Sequence, residues 1–385
     1  MMLVARVVFF VTTMIVVTVG LHRYLWVRLA RDPALPLTAQ RLVATALVAL
    51  VLCTVLTMIL VRTASREALQ PLAWVTYTWM GLLFFLVASL AVGDLARLVA
   101  AKPVDDERRV FFARAIAGIA GLFAVGAAGK AMANMRAPVS LVRVPVTLAR
   151  LRGGRVWRVA QLSDVHVGPT IGKAFLEQIV DRVNAERPDV VVITGDLVDG
   201  SVSSLAEHVA PLGRLAAPEG VYFITGNHEY YSGAVEWCAH LETLGIRVLR
   251  NGSCAIGGDE GFTLAGVDDW TAHQFARLAP GHAHDLPGAL RDAHPERPVV
   301  LLAHQPKSVR EAAAHGVDLQ LSGHTHGGQL FPFNFLVRLQ QPFVAGLARV
   351  NERTQIYVSR GTGYWGPPMR LGAPAEITIL TLARG

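Results

Sequence analysis

The chain has 385 residues, of which 52% are hydrophobic and 17% charged, and its mean hydropathy is +0.40. This length allows two domains, each with its own core, and this composition is unusual for a soluble protein. Three scattered cysteines exclude a disulfide framework, although a single pair between Cys238 and Cys254 stays open.

The charge divides the chain into two parts. Residues 1–150 carry 16 Lys and Arg against 6 Asp and Glu, a net charge of +10, whereas residues 151–385 carry 20 against 23, a net charge of −3. A basic chain suggests nucleic acid or anionic lipid as a partner. Because the basic residues flank apolar runs and the C-terminal part is slightly acidic, we expect a lipid bilayer as partner and no nucleic acid.

Four apolar stretches in the N-terminal part are candidate membrane spans, since a helix needs roughly 20 mostly apolar residues to cross a bilayer. They are Leu3–Leu21, Leu42–Val61, Leu72–Val92 and Phe111–Ala133. The first carries Arg6 near its end, where a long side chain can reach the interface. The fourth contains Arg114 and four glycines, so an amphipathic or cleavable segment stays an alternative there. The sequence predicts an α-helical region of about four spans.

The loop charges predict an orientation for these spans. The first and third loops each hold four basic residues and the second holds two, and positive loops stay in the cytoplasm. The C-terminal domain of a multi-pass cell-membrane protein would then lie on the extracytoplasmic side. Arg108–Arg109 before the fourth stretch resembles a twin-arginine export signal, or else marks the cytoplasmic end of that helix.

The predicted domain boundaries follow from these patterns. Residues 1–133 form the transmembrane region. Residues 134–154 contain Pro138, Pro145 and a Gly–Gly pair without a clear period, which indicates a linker. Residues 155–385 form the C-terminal domain, where short apolar runs alternate with stretches of helical spacing. That alternation predicts an α/β domain, whose functional residues gather beyond the carboxyl ends of the strands.

Polar side chains follow five of the predicted strands, directly beyond the carboxyl end of each. The residues concerned are Asp164, His166, Gly195–Asp196, Gly226–Asn227–His228–Glu229, His304 and Gly323–His324–Thr325–His326. A single His-x-His is more often a surface or core feature, but five such ends in order are difficult to attribute to chance. Mixed carboxylate, imidazole and amide ligands suit Mn, Fe or Zn. Two such ions can share a bridging carboxylate and activate a water for attack on a phosphoryl group.

These motifs resemble those of the calcineurin-like metallophosphoesterases over about 160 residues. The stretch from Gly323 to Gln329 and the C-terminal Arg370–Leu371–Gly372 are similar to a membrane-linked bacterial branch that includes phosphodiesterases and UDP-2,3-diacylglucosamine hydrolase-like proteins. The resemblance implies a four-layer α/β/β/α sandwich with two divalent metal ions.

The resemblance also implies a role for each matching residue. Asp164, His166 and His326 would hold one metal ion, and Asn227, His304 and His324 the other. Asp196 would bridge the two ions. His228 would contact the phosphate with Asn227 and protonate the leaving oxygen, with Glu229 supporting His228. Arg370 is a candidate phosphate-binding residue, and an alternative is that Glu376 holds it in an ion pair.

The leading interpretation is therefore metal-dependent hydrolysis of a phosphodiester or pyrophosphate in a lipid or envelope molecule, or of a phosphorylated small molecule. No protein partner is predicted. An alternative is a membrane sensor or transport component with a regulatory phosphatase domain, which the lack of ionisable residues deep within the second and third spans disfavours. A repair nuclease is disfavoured by the net charge of −3 and by the membrane tether.

Overall fold

A computed structural model describes residues 2–61, 65–100 and 105–385. The chain folds as two compact units. The helical unit comprises Met1–Ala133 with Gly366–Met369, and the α/β unit comprises Asn134–Trp365 with Arg370–Gly385.

The helical unit is built from four long helices. They are α1 (Met2–Trp26), α2 (Leu37–Leu60), α3 (Arg66–Ala100) and α4 (Asp106–Arg136), with a π-helical turn at Val27–Arg31. Among the described residues, α2, α3 up to Leu98 and α4 are long and apolar enough to cross a membrane. These three contain the second, third and fourth predicted spans. Leu3–Leu21 lies within α1, but the side chains of residues 1–11 lie outside the described part, so a total of four spans stays a prediction.

Polar contacts join the helices of this unit. Asp94 of α3 accepts a hydrogen bond of 2.7 Å from the Tyr24 hydroxyl and lies 3.0 Å from Nη2 of Arg28. The hydroxyls of Thr57 and Thr76 are 2.9 Å apart between α2 and α3. Because unpaired polar groups are costly in an apolar environment, these contacts fix the pairing of the helices.

The α/β unit contains two six-stranded sheets. The strands of the first, in spatial order, are β1 (Ser140–Leu148), β12 (Glu376–Arg384), β2 (Trp157–Leu162), β3 (Val190–Ile193), β4 (Val221–Phe223) and β5 (Arg247–Val248). Those of the second are β10 (Gly346–Arg349), β11 (Gln355–Val358), β9 (Leu319–Ser322), β8 (Val299–Leu302), β7 (Phe262–Gly266) and β6 (Gly252–Ile256). The helices are α5 (Lys173–Ala185), α6 (Val202–Val209), α7 (Asn227–Ser232), α8 (Ala234–Thr243), α9 (Leu286–Ala289), α10 (Val309–Ala314) and α11 (Asn334–Val337).

Successive side chains along each central strand point alternately to the space between the two sheets and to the helices outside them. This alternation produces four layers. In β3, Val191 and Ile193 pack with α5, α6 and α8, whereas Val190 and Val192 pack between the sheets. In β8, Val300 joins the cluster between the sheets while its neighbours face α9 and α10. Each fully buried Val or Ile side chain contributes ~1.5–3 kcal/mol. The predicted α/β/β/α sandwich is confirmed.

The linker predicted over residues 134–154 is wrong for the nine residues of β1, which pairs in parallel with β12. In β1, Val144, Val146 and Leu148 are buried while Pro145 between them is exposed. Proline cannot donate to a ladder, so it is confined mainly to edge strands. Since β1 is the edge of the first sheet, Pro145 is compatible with a regular strand there.

Parallel pairing aligns the strand ends that matter for function. In the first sheet β2, β3 and β4 are parallel neighbours, and in the second β7, β8 and β9 are. Their carboxyl ends therefore lie along one edge of each sheet, and the loops that follow them carry the predicted ligands.

Candidate metal centre

The structure places the predicted ligands in five loops beyond the strand ends. Asp164 and His166 follow β2, Asp196 follows β3, Asn227 begins α7 after β4, His304 follows β8, and His324 and His326 follow β9. Their side chains form two groups close enough to hold a metal ion, Asp164–His166–His326 and Asp196–His304–His324.

Most of these residues adopt a backbone conformation that is uncommon outside glycine. The φ angles are +52° for Asp164, +53° for His166, +51° for Asp196, +71° for His324 and +51° for His326. Non-glycine residues in this region cost of order 1–3 kcal/mol each and cluster at functional sites. The strained turns direct each side chain toward the common centre.

The first group fits a single divalent cation. The Nε2 atoms of His166 and His326 are 3.1 Å apart, and Oδ1 of Asp164 lies 3.6 Å from Nε2 of His326. Two ligand atoms bound ~2.1 Å from one ion at angles between 90° and 109° would be ~3.0–3.4 Å apart. The separation between His166 and His326 falls in this range, and that between Asp164 and His326 exceeds it by 0.2 Å.

The second group is similar and includes the amide of Asn227. Nδ1 of His304 lies 2.8 Å from the carbonyl oxygen of Thr194 and donates its proton to it. This leaves Nε2 of His304 as the ligand atom, and it lies 3.1 Å from Oδ2 of Asp196. Oδ1 of Asn227 is buried and has no hydrogen-bond partner among the described residues. A buried, unsatisfied oxygen is costly unless a cation or water is bound to it.

Asp196 lies between the two groups. Its Oδ2 atom is 3.1 Å from Nε2 of His304 in the second group and 3.9 Å from Nε2 of His166 in the first. Its Oδ1 atom accepts a 2.9 Å hydrogen bond from the backbone N–H of His228. One carboxylate thus stands within reach of both sets of ligands, as a bridging ligand would.

Asp199 is a functional residue that the sequence reasoning missed. Its Oδ1 atom lies 2.6 Å from Nδ1 of His228, and both its oxygens lie 3.2 Å from Nδ1 of His166. Accepting a proton from Nδ1 fixes the tautomer of His166, so that Nε2 is free to bind a metal ion. The available signal was a second acidic residue three positions after Asp196, in the same loop.

The predicted support of His228 by Glu229 is wrong, because Glu229 holds the backbone instead. Its fully buried carboxylate accepts hydrogen bonds from the N–H groups of Asp196 (3.0 Å), Leu197 (2.8 Å) and Gly226 (2.6 Å). The role expected of Glu229 belongs to Asp199. Glu229 ties the loop after β3 to the loop after β4.

Arg370 is likewise placed differently from both expectations. It is 1% exposed, and its donors bind the carbonyl oxygens of Gly363 (3.0 Å) and Ala373 (3.1 Å) and lie 3.2 Å from Nδ1 of His326. Glu376 pairs with Arg360 rather than with Arg370, at 2.7 Å. A guanidinium engaged in this way cannot also clamp a phosphate, so Arg370 shapes the loop behind His326.

Comparison with known proteins agrees with this geometry. Residues 158–328 match the family described as calcineurin-like phosphoesterase. A transmembrane protein with metallophosphoesterase domain from Danio rerio is 35% identical over 381 residues, which cover 93% of this chain and 85% of that protein. The chain belongs to the calcineurin-like metallophosphoesterase family. It is a metal-dependent phosphoesterase of a family that uses two metal ions, and it is associated with membranes.

Two further proteins are also similar to this chain. A metallophosphoesterase of Helicobacter pylori is 43% identical over 226 residues, covering 58% of this chain and 59% of that protein. The solved structure of a 5′-nucleotidase precursor from Thermus thermophilus is 15% identical in sequence and superposes with a TM-score of 0.39. The superposed part covers 60% of this chain and 55% of the 5′-nucleotidase chain. The narrower bacterial branch stays a prediction.

In this metallophosphoesterase a cavity of about 430 Å³ opens beside the second ligand group. Asn227 and His324 line its floor, and Tyr231, Lys307 and Gln341 line its walls. Lys307 lies 5.4 Å from the centre of the Trp270 ring, a cation–π contact that orients its ammonium group. A larger cavity of about 710 Å³ lies at the amino ends of the strands, around Arg158 and Asp189, away from the ligands.

The charges at the metallophosphoesterase site favour the ionised forms of Asp196 and Asp199, whose pKa values both lie below the usual range. Burial alone would raise the pKa of Asp199, but the charges and hydrogen bonds of His166 and His228 outweigh it and hold that pKa well below its usual range. Burial opposes protonation of His228, yet Asp196 and Asp199 raise its pKa to about 9. Burial and the neighbouring His304 lower the pKa of His324 to about 3. His228 is therefore suited to carry a proton, and His324 to offer a free lone pair.

Proposed function

We propose that this protein hydrolyses a phosphodiester or pyrophosphate of a membrane lipid or envelope molecule, with two metal ions held by the residues described above. The observation that carries the proposal is the position of Asp196, whose Oδ2 atom is 3.1 Å from His304 and 3.9 Å from His166. Two ligand groups that share one carboxylate form a binuclear site. Mn, Fe or Zn is the proposed metal, because the ligands mix imidazole, carboxylate and amide.

The proposed ligand assignment divides the residues between the two ions. Asp164, His166 and His326 hold the first, Asn227, His304 and His324 hold the second, and Asp196 bridges them. When bound, such ions supply Lewis acidity, which makes a water nucleophilic at neutral pH and stabilises charge on the phosphoryl oxygens.

The protein's own residues supply the remaining chemistry. His228 carries a proton on a ring edge that faces the site and donates it to the departing oxygen. Asp199 holds the other ring nitrogen at 2.6 Å and stabilises the imidazolium that precedes the transfer. Asn227 contacts the phosphate beside His228, and Lys307 attracts the negative charge of the substrate from the cavity wall.

The proposed cellular arrangement follows from the chain organisation. A multi-pass region formed by residues 1–133 anchors the catalytic domain, and the loop charges favour an extracytoplasmic position for that domain. A substrate on the outer face of the membrane fits that position. A reporter can be fused to the chain after α4. If that reporter is active only in the cytoplasm, the proposed arrangement is contradicted.

The test uses the full chain in detergent micelles, loaded with Mn²⁺ and assayed with bis-p-nitrophenyl phosphate and p-nitrophenyl phosphate. The diester should be hydrolysed, and Asp196→Asn should reduce turnover by at least about 10²-fold. Asp292→Asn, which changes an exposed aspartate, is the matched control and should retain activity. Equal turnover by the Asp196→Asn variant and the unmodified chain would refute the assignment.

A further inference from the structure

One segment beside the metal site exposes an unusual amount of apolar surface. Residues 329–347, called here the apolar segment, include α11 and several large side chains directed into solvent. Phe331 is 53% exposed, Phe335 56%, Leu336 55% and Leu339 82%. Single exposed apolar residues are ordinary, but with Phe333, which is 45% exposed, five lie within nine positions, and large exposed apolar patches mark contact surfaces.

The charges within this stretch of the chain have one sign. From Gly327 to Asn351 the chain contains no Asp or Glu, and its charged residues are Arg338 and Arg349, both exposed. Residues 151–385 as a whole carry a net charge of −3. Large apolar side chains together with arginine are typical of segments that lie in the interface of a bilayer containing anionic lipids.

Both ends of the apolar segment border the metal site. At its start, the Gln329 side chain donates to the Trp365 carbonyl oxygen (2.9 Å) and accepts from the Trp365 N–H (3.0 Å). Trp365 is 54% exposed, and its ring centre is 5.5 Å from that of His228. Toward its end, Gln340 and Gln341 line the cavity beside His324. A surface that received this segment would therefore lie at the mouth of the cavity.

The chain itself keeps a bilayer within reach of the catalytic domain. The helix α4 has the length and composition of a membrane span and ends at Arg136, and β1 begins at Ser140. Four residue steps cover at most ~14 Å. The polypeptide thus joins a candidate membrane span directly to the sheet, with no room for a long flexible linker.

We propose that the apolar segment lies in the lipid–water interface and presents the cavity to the headgroup of a membrane lipid, whose phosphate is the group hydrolysed. The basic residues select an anionic surface, and the exposed Phe and Leu side chains enter the outer acyl region. The inference that the lipid is the substrate rests on the function proposed above, whereas insertion of the segment does not.

The insertion is tested with full-length chains in nanodiscs of phosphatidylcholine and phosphatidylglycerol. Cys53, Cys238 and Cys254 are replaced by Ala, and one new cysteine carries an environment-sensitive fluorophore, either Leu339→Cys or the control Ser203→Cys on the exposed side of α6. Lipids with a doxyl quencher on the acyl chain should quench the label at position 339 at least about threefold more than that at 203.

Equal quenching at the two positions would overturn the proposal. A shielded label at position 339 that doxyl lipids do not quench would also overturn it, because another part of the protein or a second copy would then cover the segment. Quenching that persists without phosphatidylglycerol would overturn the role of the basic residues.

The substrate part is tested separately, by kinetics. Leu339→Glu places a carboxylate where the segment meets lipid, and should reduce hydrolysis of phosphatidylglycerol in vesicles at least about tenfold. The same variant should hydrolyse bis-p-nitrophenyl phosphate at the unmodified rate, since position 339 lies outside the cavity lining. Equal losses on both substrates would refute interfacial delivery. If the unmodified chain hydrolyses neither substrate, the proposed function fails while the quenching result still decides the insertion.

Discussion

Glu229→Gln tests how the two central loops are held together. Oε2 of Glu229 accepts from the N–H groups of Asp196 and Gly226, and Oε1 accepts from that of Leu197. A glutamine can keep its oxygen at the Oε2 position, but its NH₂ group then faces the Leu197 N–H. One charge-assisted bond is lost, the other two weaken, and the Leu197 N–H and the glutamine NH₂ group both become buried donors without an acceptor. Together these effects cost about 2–5 kcal/mol.

The assay is thermal unfolding of the full chain in micelles, beside its Mn²⁺ content after dialysis. For a domain of this size each kcal/mol lowers Tm by ~2–4 °C, so we expect a fall of about 4–20 °C, together with weaker metal retention because Asp196 is displaced. Glu207→Gln alters a side chain that is 81% exposed and should shift Tm by less than about 2 °C. A Glu229→Gln variant with unchanged Tm and metal content would refute the reasoning.

Three further substitutions test other parts of the site. Asp199→Asn should slow the hydrolysis of alkyl phosphodiesters about 10–100-fold, because His228 loses the carboxylate that stabilises its protonated form. The hydrolysis of nitrophenyl esters should slow less, since nitrophenolate needs little protonation to leave. Equal losses on both kinds of substrate would contradict this role of Asp199. Lys307→Ala should raise KM about tenfold with little change in kcat, and Lys307→Arg should restore it; an unchanged KM would remove Lys307 from the substrate site. Arg370→Met should destabilise the domain by about 3–5 kcal/mol in chemical unfolding, because it leaves buried carbonyl oxygens unpaired; full stability with a raised KM would instead support phosphate binding.

The sequence predicted the central strands closely because they are buried on both faces. Such strands appear as continuous apolar runs, and the fully buried β3, Val190–Ile193, is an example. The ligands were predictable for a related reason. Parallel strands end along one edge of the sheet, so residues far apart in sequence gather there without any knowledge of side-chain contacts.

The errors have specific physical causes. β1 was missed because Pro145 indicated irregular chain, although an edge strand tolerates proline. The roles of Asp199 and Glu229 depend on side-chain directions, which the spacing of the motif does not contain. Arg370 lies among carbonyl oxygens that come from five separate residues, and that gathering exists only in the folded chain.

The binuclear site is the central claim, and electron paramagnetic resonance of the Mn²⁺-loaded full chain tests it most directly. Metal analysis should first give two Mn per chain. The spectrum should then show the hyperfine pattern of an exchange-coupled pair, because Asp196 links the two ligand groups. Asp196→Asn should convert this pattern to that of isolated Mn²⁺. A signal from isolated Mn²⁺ in the unmodified chain at full loading would contradict the account.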